Sequence, residues 1–218
     1  MNNTIQLVIA DDHEIFRQGF LSMIKKEKYL DVIGQAKDGE ELVRVVVENK
    51  PDIAFVDISM PKMDGIEATR LIVEQSPLTH VIALSMFNDD NHIVDMLEAG
   101  ASGYLLKNTT LEEVLKAIDS VMKGDNYFCN DSSTKLIRLI TERKKHLNKN
   151  KKEISLGERE VEIIKLMCEQ LTIKEIADKL GLSPRTVETH RKALQEKTES
   201  KNSIGVVIYA IQNGIVKL

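Results

Sequence analysis

The feature that most constrains the fold is a fivefold alternation of short apolar runs and amphipathic stretches over the first 123 residues. The runs are rich in β-branched residues, which favour strands, and the stretches between them carry apolar residues at helical spacing. This alternation predicts an α/β fold with a parallel sheet and helices on both faces. The predicted strands are Gln6–Ala10, Asp31–Ala36, Ile53–Val56, His80–Ser85 and Gly103–Leu106, and the predicted helices span roughly 14–26, 39–49, 65–75, 90–99 and 111–122.

The charge of the chain is distributed unevenly between its two halves. Residues 1–134 hold 12 basic and 23 acidic side chains, whereas residues 135–218 hold 18 basic and 11 acidic ones, so their net charges are -11 and +7. Chance variation along the chain is one explanation. The other is two domains with different partners, of which the basic one is the candidate for nucleic-acid binding.

Between the two halves lies a segment that we interpret as a linker. The pattern breaks at Gly124-Asp125-Asn126, a candidate helix follows at about 132–143, and Arg143–Lys152 is almost wholly polar. A solvated connector and a basic arm that touches DNA phosphates are both compatible with this last stretch. From residue 155 onward the pattern is purely helical. We therefore predict domains at 1–123 and 154–218, joined by a linker at 124–153.

Nothing in the sequence predicts export or membrane insertion. The N-terminal apolar run, Ile5–Ala10, is short and includes the polar Gln6, which fits neither a signal peptide nor a membrane span. Cys129 and Cys168 lack the spacing of a zinc or redox motif. We therefore expect a cytoplasmic protein with reduced thiols and no membrane partner.

Acidic residues stand where two of the predicted strands end. Asp11 and Asp12 follow the first strand, and Asp57 follows the third. If these strands are parallel neighbours, three carboxylates converge at one edge of the sheet, where ligands of such sheets bind. Their mutual repulsion favours a hard divalent cation such as Mg²⁺. A carboxylate beside such an ion can act as a nucleophile toward a phosphoryl group.

Two further residues complete this constellation. Ser85 ends the fourth strand and offers a hydroxyl for a phosphoryl oxygen, and Lys107 follows the fifth and offers a cation. Each residue alone has a structural explanation, since acids after strands often serve turns or caps and a lone lysine is usually solvated. Five such residues at four strand ends indicate a functional site instead.

Over residues 5–122 the sequence resembles the receiver domain of two-component response regulators. The resemblance implies a flavodoxin-like (βα)5 fold in which Asp57 accepts phosphate from a sensor histidine kinase. It also implies that Asp11, Asp12, Asp57 and the backbone carbonyl of Ser59 hold Mg²⁺. The matching segments are Val8–Glu14, Phe55–Gly65, Ala83–Ser85 and Gly100–Lys107.

The same resemblance implies a switch next to the acceptor. Ser85 takes the switch hydroxyl position, Lys107 contacts the phosphoryl group, and Tyr104 takes the switch aromatic position. Phosphorylation adds about -1.5 to -2 charges and three acceptor oxygens. We expect Ser85 and Lys107 to move toward those oxygens and Tyr104 to rotate inward, although a half-buried strand tyrosine with no switching role remains the alternative.

The C-terminal part carries the start and stop signals of several short helices. Ser155 to Glu158 and Thr172 to Glu175 both fit a capping box, Gly181 fits a tight turn, and Ser183-Pro184 fits the start of a third helix. Two short helices joined by a Gly-Leu-Ser turn form a helix-turn-helix pattern. The second helix of such a motif enters the major groove of DNA.

Residues 156–218 resemble the LuxR-type DNA-binding domain of NarL/FixJ-type regulators. The matching segments are Glu158–Val161, Lys174–Ala177 and Leu182–Arg191. The resemblance implies a four-helix helix-turn-helix domain that binds double-stranded promoter DNA through its third helix. The residues implied in contacts with DNA are Lys174, Arg185, Thr186, Glu188, Thr189, Arg191 and Lys192. Glu188 stands where some relatives have Lys, and it could accept a hydrogen bond from cytosine.

The last helix, at about 203–213, presents an apolar stripe. Relatives dimerise through this helix, so the resemblance implies a homodimer when the protein is phosphorylated or bound to DNA. Part of the stripe is expected to pack on the domain core. The stripe consists of Ile204, Val207, Ile208 and Ile211.

Three functional hypotheses compete. The first is a phosphorylation-dependent transcription factor, not an enzyme with an external substrate, controlled either by release of an inhibitory domain contact or by dimerisation. The second is a Mg²⁺-dependent phosphohydrolase, but those enzymes place a second acid two residues after the nucleophile, where this chain has His13 after the pair Asp11-Asp12. The third is an interaction module with a silent receiver, which the complete acceptor set disfavours.

Overall fold

The structure is a computed structural model that describes residues 4–86, 90–128, 154, 156–169 and 171–216. The chain divides into two compact units, residues 1–133 and 134–218. Four features named in the sequence analysis lie outside the described residues: Cys129, the helix at about 132–143, the polar stretch 143–152 and Ser155. Within the described ranges, no helix combines the length and the apolar character that crossing a bilayer demands.

The first unit is a parallel sheet of six strands in the order β2-β1-β3-β4-β5-β6. The first five strands follow the flavodoxin-like order, which confirms the predicted fold class. The strands are β1 (Ile5–Ala10), β2 (Leu30–Ala36), β3 (Ile53–Asp57), β4 (His80–Ser85), β5 (Gly103–Leu106) and β6 (Tyr127–Phe128). The helices are α1 (Glu14–Ile24), α2 (Gly39–Asn49), α3 (Gly65–Gln75), α4 (Asp90–Ala99) and α5 (Leu111–Met122).

The core explains why the strands are continuous apolar runs. Every residue of β3 is buried, as expected for a central parallel strand that is covered on both faces. On one face, Leu7, Ile9 and Phe55 pack with Phe20 of α1 and Ile118 of α5. Helices α2, α3 and α4 pack side by side, α2 on α3 and α3 on α4.

Strand β6 is a difference from the sequence-based prediction. The sequence predicts a linker over residues 124–153, yet Tyr127 pairs with Gly103 and Phe128 with Tyr104. The backbone N–H of Tyr127 also donates to the carbonyl of Ser102 at 3.2 Å. The sheet therefore extends past residue 123, and a strand of two residues is too short to show the alternation that reveals strands in a sequence.

The second unit is a helical domain with its own core. Its helices are α6 (Glu158–Cys168), α7 (Ile173–Leu180), α8 (Pro184–Thr198) and α9 (Ser203–Gln212). The core joins all four helices through Ile163, Ile176, Val187 and Val206, among others.

The helix ends of this domain follow the predicted signals, with one exception. Thr172 caps α7 in a complete capping box with Glu175, Gly181 ends α7 at φ 64°, and Ser183 caps α8 with Pro184 at its first position. At the start of α6, however, the cap is Gly157, whose N–H donates to Glu160 at 2.8 Å. The acidic partner is therefore Glu160 and not Glu158, because the helix begins two residues later than the proposed Ser155 box requires.

Candidate functional site

The acidic residues meet at the carboxyl edge of the sheet. Asp11 directly follows β1, and Asp57 is the last residue of β3. Since these strands are neighbours with Ala10 opposite Val56, the two carboxylates are brought together. Ligand atoms of Asp11, Asp12, His13 and Asp57 lie within 4.8 Å of one another. Asp11 and Asp57 are buried, whereas Asp12 is exposed.

Lys107 lies between the two buried carboxylates. Its Nζ is 2.7 Å from Oδ2 of Asp11 and 2.9 Å from Oδ2 of Asp57, and its side chain is 7% exposed. Burial by itself lowers the pKa of Lys107, but the hydrogen bonds to both carboxylates outweigh it and leave the pKa raised. The backbone N–H of Lys107 donates to the carbonyl of Ser85 at 2.8 Å, which fixes the start of the loop after β5.

The environment of Asp57 disfavours the charged form of its carboxyl group. The pKa of Asp57 is raised to about 6: burial is the largest cause, the carboxylate of Asp11 adds to the rise, and Lys107 together with the backbone N–H of Ser59 opposes it. A buried carboxylate next to another one is destabilised as an anion. The site therefore gains from any additional positive charge.

These residues fit a magnesium ion. Three carboxylates with their oxygens close together, one of them exposed to solvent, provide the hard ligands that Mg²⁺ prefers while leaving room for its waters. The raised pKa of Asp57, caused mainly by burial and in part by Asp11, agrees with a site whose carboxylates a cation would stabilise.

Ser85 and Tyr104 lie beside this edge, in the interior. Ser85 is fully buried, and its Oγ donates to the carbonyl of Met86 at 3.0 Å. Tyr104 is 1% exposed and ranks among the largest fully buried side chains. The family resemblance predicts an inward rotation of Tyr104 on phosphorylation. Its ring is already inside in this structure, so any switch at this residue begins from a buried state.

The first two turns of α1 contribute contacts that the sequence analysis missed. Nδ1 of His13 lies 2.7 Å from Oδ1 of Asp12, and its backbone N–H donates to Oδ1 of Asp11. Nζ of Lys107 lies 5.1 Å from the centre of the Phe16 ring, a cation–π distance. Arg17 donates through Nη1 to the carbonyl of Asp11 at 2.5 Å. The position of α1 in the sequence could have indicated these contacts, because a helix that starts two residues after an acid pair at a strand end must cross the same edge of the sheet.

The loop between β3 and α3 is held by contacts that the sequence did not reveal. Lys62 has a left-handed φ of 64°, and its Nζ lies 2.6 Å from Oδ2 of Asp38. Asp38 is buried and also caps α2. At the end of the loop, a Cβ on Gly65 would lie 2.1 Å from the carbonyl oxygen of Asp57. Gly65 therefore permits α3 to start directly against the backbone of Asp57.

In the helical domain, α8 presents a polar outer face. Arg185, Thr189 and Lys192 are exposed at spacings of four and three residues, and Lys174 is exposed on α7. Thr186 is partly buried, and its backbone N–H donates to the hydroxyl of Ser183 at 3.1 Å.

Arg191 does not lie on this outer face, contrary to the prediction that it contacts DNA. Its side chain is 9% exposed, and its Nε donates to the hydroxyl of Ser203 at 3.0 Å. The reason is helical spacing, because Val187, Arg191 and Leu194 are four and three residues apart and share the buried side of α8.

The predicted dimerisation stripe is mostly covered. Ile204, Ile208 and Ile211 are buried but lie outside the core cluster of the helical domain, whereas Val207 packs against that core. In this structure the stripe is therefore not a solvent-exposed surface.

Fold and site together define a class of protein. A flavodoxin-like domain with an acidic edge and a buried lysine is combined with a helix-turn-helix domain, the pairing expected of a signal-dependent DNA-binding regulator. Comparison with known proteins agrees: residues 7–119 match the response regulator receiver domain, and residues 154–210 match the bacterial regulatory proteins of the luxR family. The chain belongs to the response regulators of the NarL/FixJ type.

The similarity to individual proteins spans nearly the whole chain. This chain is 34% identical over 215 residues to the oxygen regulatory protein NreC of Staphylococcus haemolyticus, and the match covers 97% of this chain and 99% of that protein. It is 32% identical over 213 residues to the transcriptional regulatory protein YxjL of Bacillus subtilis, covering 98% of each. Among solved structures, a complex of RcsB dimers with DNA shows 26% identity and a TM-score of 0.55, covering 95% of this chain and 98% of that one.

Proposed function

We propose that this protein is a phosphorylation-dependent transcriptional regulator whose Asp57 accepts a phosphoryl group from a sensor histidine kinase. The observation that carries the proposal is the pairing of the buried Asp57 with Lys107 at 2.9 Å, directly beside Asp11. A nucleophile, a fixed cation and a further acid are thus present at one edge of the sheet. The protein itself is the phosphoryl acceptor, and no external substrate is turned over.

The chemical step is a phosphoryl transfer. A carboxylate oxygen of Asp57 forms a bond to phosphorus while the bond between phosphorus and the imidazole nitrogen of the kinase breaks. The electron pair of that bond stays on the imidazole. Lys107 already lies within 2.9 Å of the acceptor carboxylate and can stabilise the charge on the transferring oxygens.

Asp11, Asp12, Asp57 and the backbone carbonyl of Ser59 would hold Mg²⁺. When bound, the ion supplies positive charge for the phosphoryl oxygens. The buried pair Asp11 and Asp57 would keep the ion at the acceptor, and the exposed Asp12 leaves it accessible from solvent.

The switch would act through Ser85 and Tyr104. The hydroxyl of Ser85 now donates to the carbonyl of Met86, and it would exchange this acceptor for a phosphoryl oxygen of phosphorylated Asp57. Because Tyr104 is already buried, phosphorylation would stabilise the buried position of its ring. A Tyr104→Ala protein should still become phosphorylated, while its DNA response weakens.

The helical domain would bind promoter DNA through the exposed side of α8. Lys174, Arg185, Thr189 and Lys192 supply the cations and hydroxyls that contact phosphates and bases, and Thr186 lies near the start of the same helix. A homodimer on DNA is in keeping with the RcsB complex, which holds dimers on DNA. Cytoplasmic location follows for a regulator that acts on promoters.

The test is intact-mass spectrometry after incubation with Mg²⁺ and an acyl phosphate, with promoter-DNA binding measured on the same samples. Wild type should gain one phosphoryl group and bind promoter DNA more tightly. Asp57→Asn should show neither change. The matched control is Asp31→Asn, an exposed acid on β2, which should behave like wild type.

Two results would contradict the proposal. No mass gain in wild type would mean that the receiver is silent. A mass gain that persists in Asp57→Asn would place the acceptor elsewhere.

A further inference from the structure

The buried side of α8 carries a network of charged and polar side chains that has no part in the proposed contacts with DNA phosphates. Arg191 donates to the hydroxyl of Ser203, the first residue of α9, through Nε at 3.0 Å and through Nη2 at 2.5 Å. Gln195 adds a third N–H donor to the same hydroxyl at 3.3 Å. With two of its nitrogens on one oxygen, the planar guanidinium has a fixed orientation.

A third nitrogen of this guanidinium faces Glu188. Nη1 of Arg191 lies 3.6 Å from Oε2 of Glu188, and that oxygen is buried without a hydrogen bond. The Glu188 side chain is nevertheless 43% exposed. Oε2 is therefore the buried oxygen of this carboxylate and lies beside Arg191, while part of the Glu188 side chain remains accessible from the outer side.

Glu188 also shares the outer face of α8 with the basic residues. It follows Arg185 by three positions and precedes Lys192 by four, so the three side chains are neighbours on the helix surface. DNA phosphates repel an anion at this place, and sequence-independent binding therefore gains nothing from it. A donor on a base edge would give the carboxylate a favourable contact on the DNA itself.

The four bases differ in what they offer a carboxylate. In the major groove, guanine presents two acceptors and thymine one acceptor and a methyl group, while adenine sets an acceptor beside its amino group. Cytosine presents its amino group alone. A carboxylate oxygen, which can only accept, is therefore matched best by cytosine.

We propose that Arg191 is a positioning residue that holds Glu188 so that its carboxylate selects cytosine in the DNA site. The inference rests on the proposed function, because it requires α8 to enter the major groove. Arg191 acts through Glu188 and does not touch DNA itself, which accounts for a buried guanidinium in a DNA-facing helix.

The test is selection of binding sites from a random duplex library by the full-length protein with Mg²⁺ and beryllofluoride. Wild type should select one cytosine in each half-site, and replacing that base should weaken binding by about fivefold or more. Glu188→Gln should change the preferred base at this position to adenine, since an amide both donates and accepts. Arg191→Met should lose the preference, and Arg191→Lys should restore it only in part, because an ammonium lacks the planar fork.

Two comparisons separate base selection from general effects. Lys192→Gln should weaken binding to all sites and leave the base preference unchanged. Ser203→Ala removes the anchor of Arg191 without placing a new group in the interior, so it should blur the cytosine preference even if Arg191→Met does not fold.

The inference is overturned if wild type binds DNA without a preferred cytosine, if Glu188→Gln selects the same base as wild type, or if folded Arg191→Met and Ser203→Ala keep the full preference. Wild type that binds no DNA in any state would instead contradict the proposed function.

Discussion

Asp57 is expected to cost stability in the absence of a metal ion. Its folded-state pKa of about 6 lies above the usual value of 3.8 for an aspartate, so its contribution to stability is full below pH 3.8 and is lost as the pH rises through 6. Asp57→Asn should therefore stabilise the metal-free receiver by about 1 to 3 kcal/mol at pH 7.5. Thermal unfolding at several pH values checks this.

The difference in stability between Asp57→Asn and wild type should fall toward zero near pH 4. It should also fall when Mg²⁺ is added, because the ion offsets the same repulsion in the wild-type protein. An unchanged or lower midpoint for Asp57→Asn at pH 7.5 without metal would show that Lys107 already neutralises the site.

Gly65 is a second position at which a single side-chain atom should change stability. A Cβ there would meet the carbonyl oxygen of Asp57 at 2.1 Å, so the backbone must shift. We expect Gly65→Ala to destabilise the receiver by about 1 to 3 kcal/mol and to slow phosphoryl uptake. Denaturant unfolding and the rate of mass gain are the two measurements.

Gly19 provides the matched control. It lies within α1, and a Cβ there would meet nothing within 4 Å. Gly19→Ala should therefore stabilise the protein by roughly 0.5 to 1 kcal/mol. Equal effects of the two substitutions would contradict the role assigned to Gly65.

At the residue scale, the sequence predicted which side chains gather at the sheet edge but not all of their neighbours. Strand ends placed Asp11, Asp57 and Lys107 correctly because parallel strands bring their carboxyl ends together. The contact of Arg17 with Asp11 depends on the rotamer of a long side chain, which leaves no mark on periodicity. The family resemblance implied that Arg191 contacts DNA, although its spacing from Val187 and Leu194 already indicated burial.

Between elements, an ion pair joins the start of α6 to the end of α8. Nζ of Lys197 lies 2.7 and 2.8 Å from the two carboxylate oxygens of Glu160, which is 12% exposed. Lys197→Met should destabilise the helical domain by about 1 to 3 kcal/mol, because it leaves a largely buried carboxylate without its partner. Hydrogen exchange of α6 and α8 amides in the full-length protein measures this.

The pH dependence of this effect has a defined sign. The hydrogen bond from Lys197 holds the pKa of Glu160 below its usual value of 4.5. The contribution is therefore present above pH 4.5 and is lost as the pH falls through the lower folded-state pKa. Lys179→Met is the control, since Lys179 pairs with Glu169 at the surface and should change stability by less than about 1 kcal/mol. A similar loss in both variants would argue against a special role for Glu160.

The contact between Lys62 and Asp38 links the loop after β3 to α2, and its two effects oppose each other. The ion pair stabilises the loop, whereas a left-handed φ of 64° is unfavourable for a lysine. Lys62→Gln loses the pair and keeps the strain, while Lys62→Gly loses both. We expect both unfolding midpoints to fall below wild type, with Lys62→Gly the higher of the two; the reverse order would show that φ at this position costs nothing.

The bounds of the elements were largely predictable for physical reasons. Helices α2, α3, α4 and α5 begin and end where the sequence predicts, since their apolar spacing is regular and residues such as Asp38 and Thr110 mark their caps. Helix α1 ends at Ile24, two residues earlier than predicted. Strand β6 and the left-handed Lys62 were not predictable, because each depends on tertiary pairing and not on a local pattern.

For the whole molecule, regulation requires a thermodynamic reciprocity. If beryllofluoride bound at Asp57 raises the affinity for promoter DNA by a given factor, DNA must raise the affinity for beryllofluoride by that same factor. Typical coupling would make the factor about 5 to 150. Calorimetric titration of the Mg²⁺-loaded protein with beryllofluoride, with and without DNA, measures it. Asp57→Asn is the control, and unequal factors would mean that a change of oligomer accompanies one of the two binding events.

The short strand β6 has a practical consequence for dissecting the chain. It occupies the outer side of β5, so that Gly103 and Tyr104 are paired on both sides. A receiver cut after residue 123 would expose this row of backbone donors and acceptors beside an apolar strand. Open edges of that kind recruit other strands. An isolated receiver should therefore retain residues up to at least 128, and a shorter fragment is expected to aggregate for reasons unrelated to signalling.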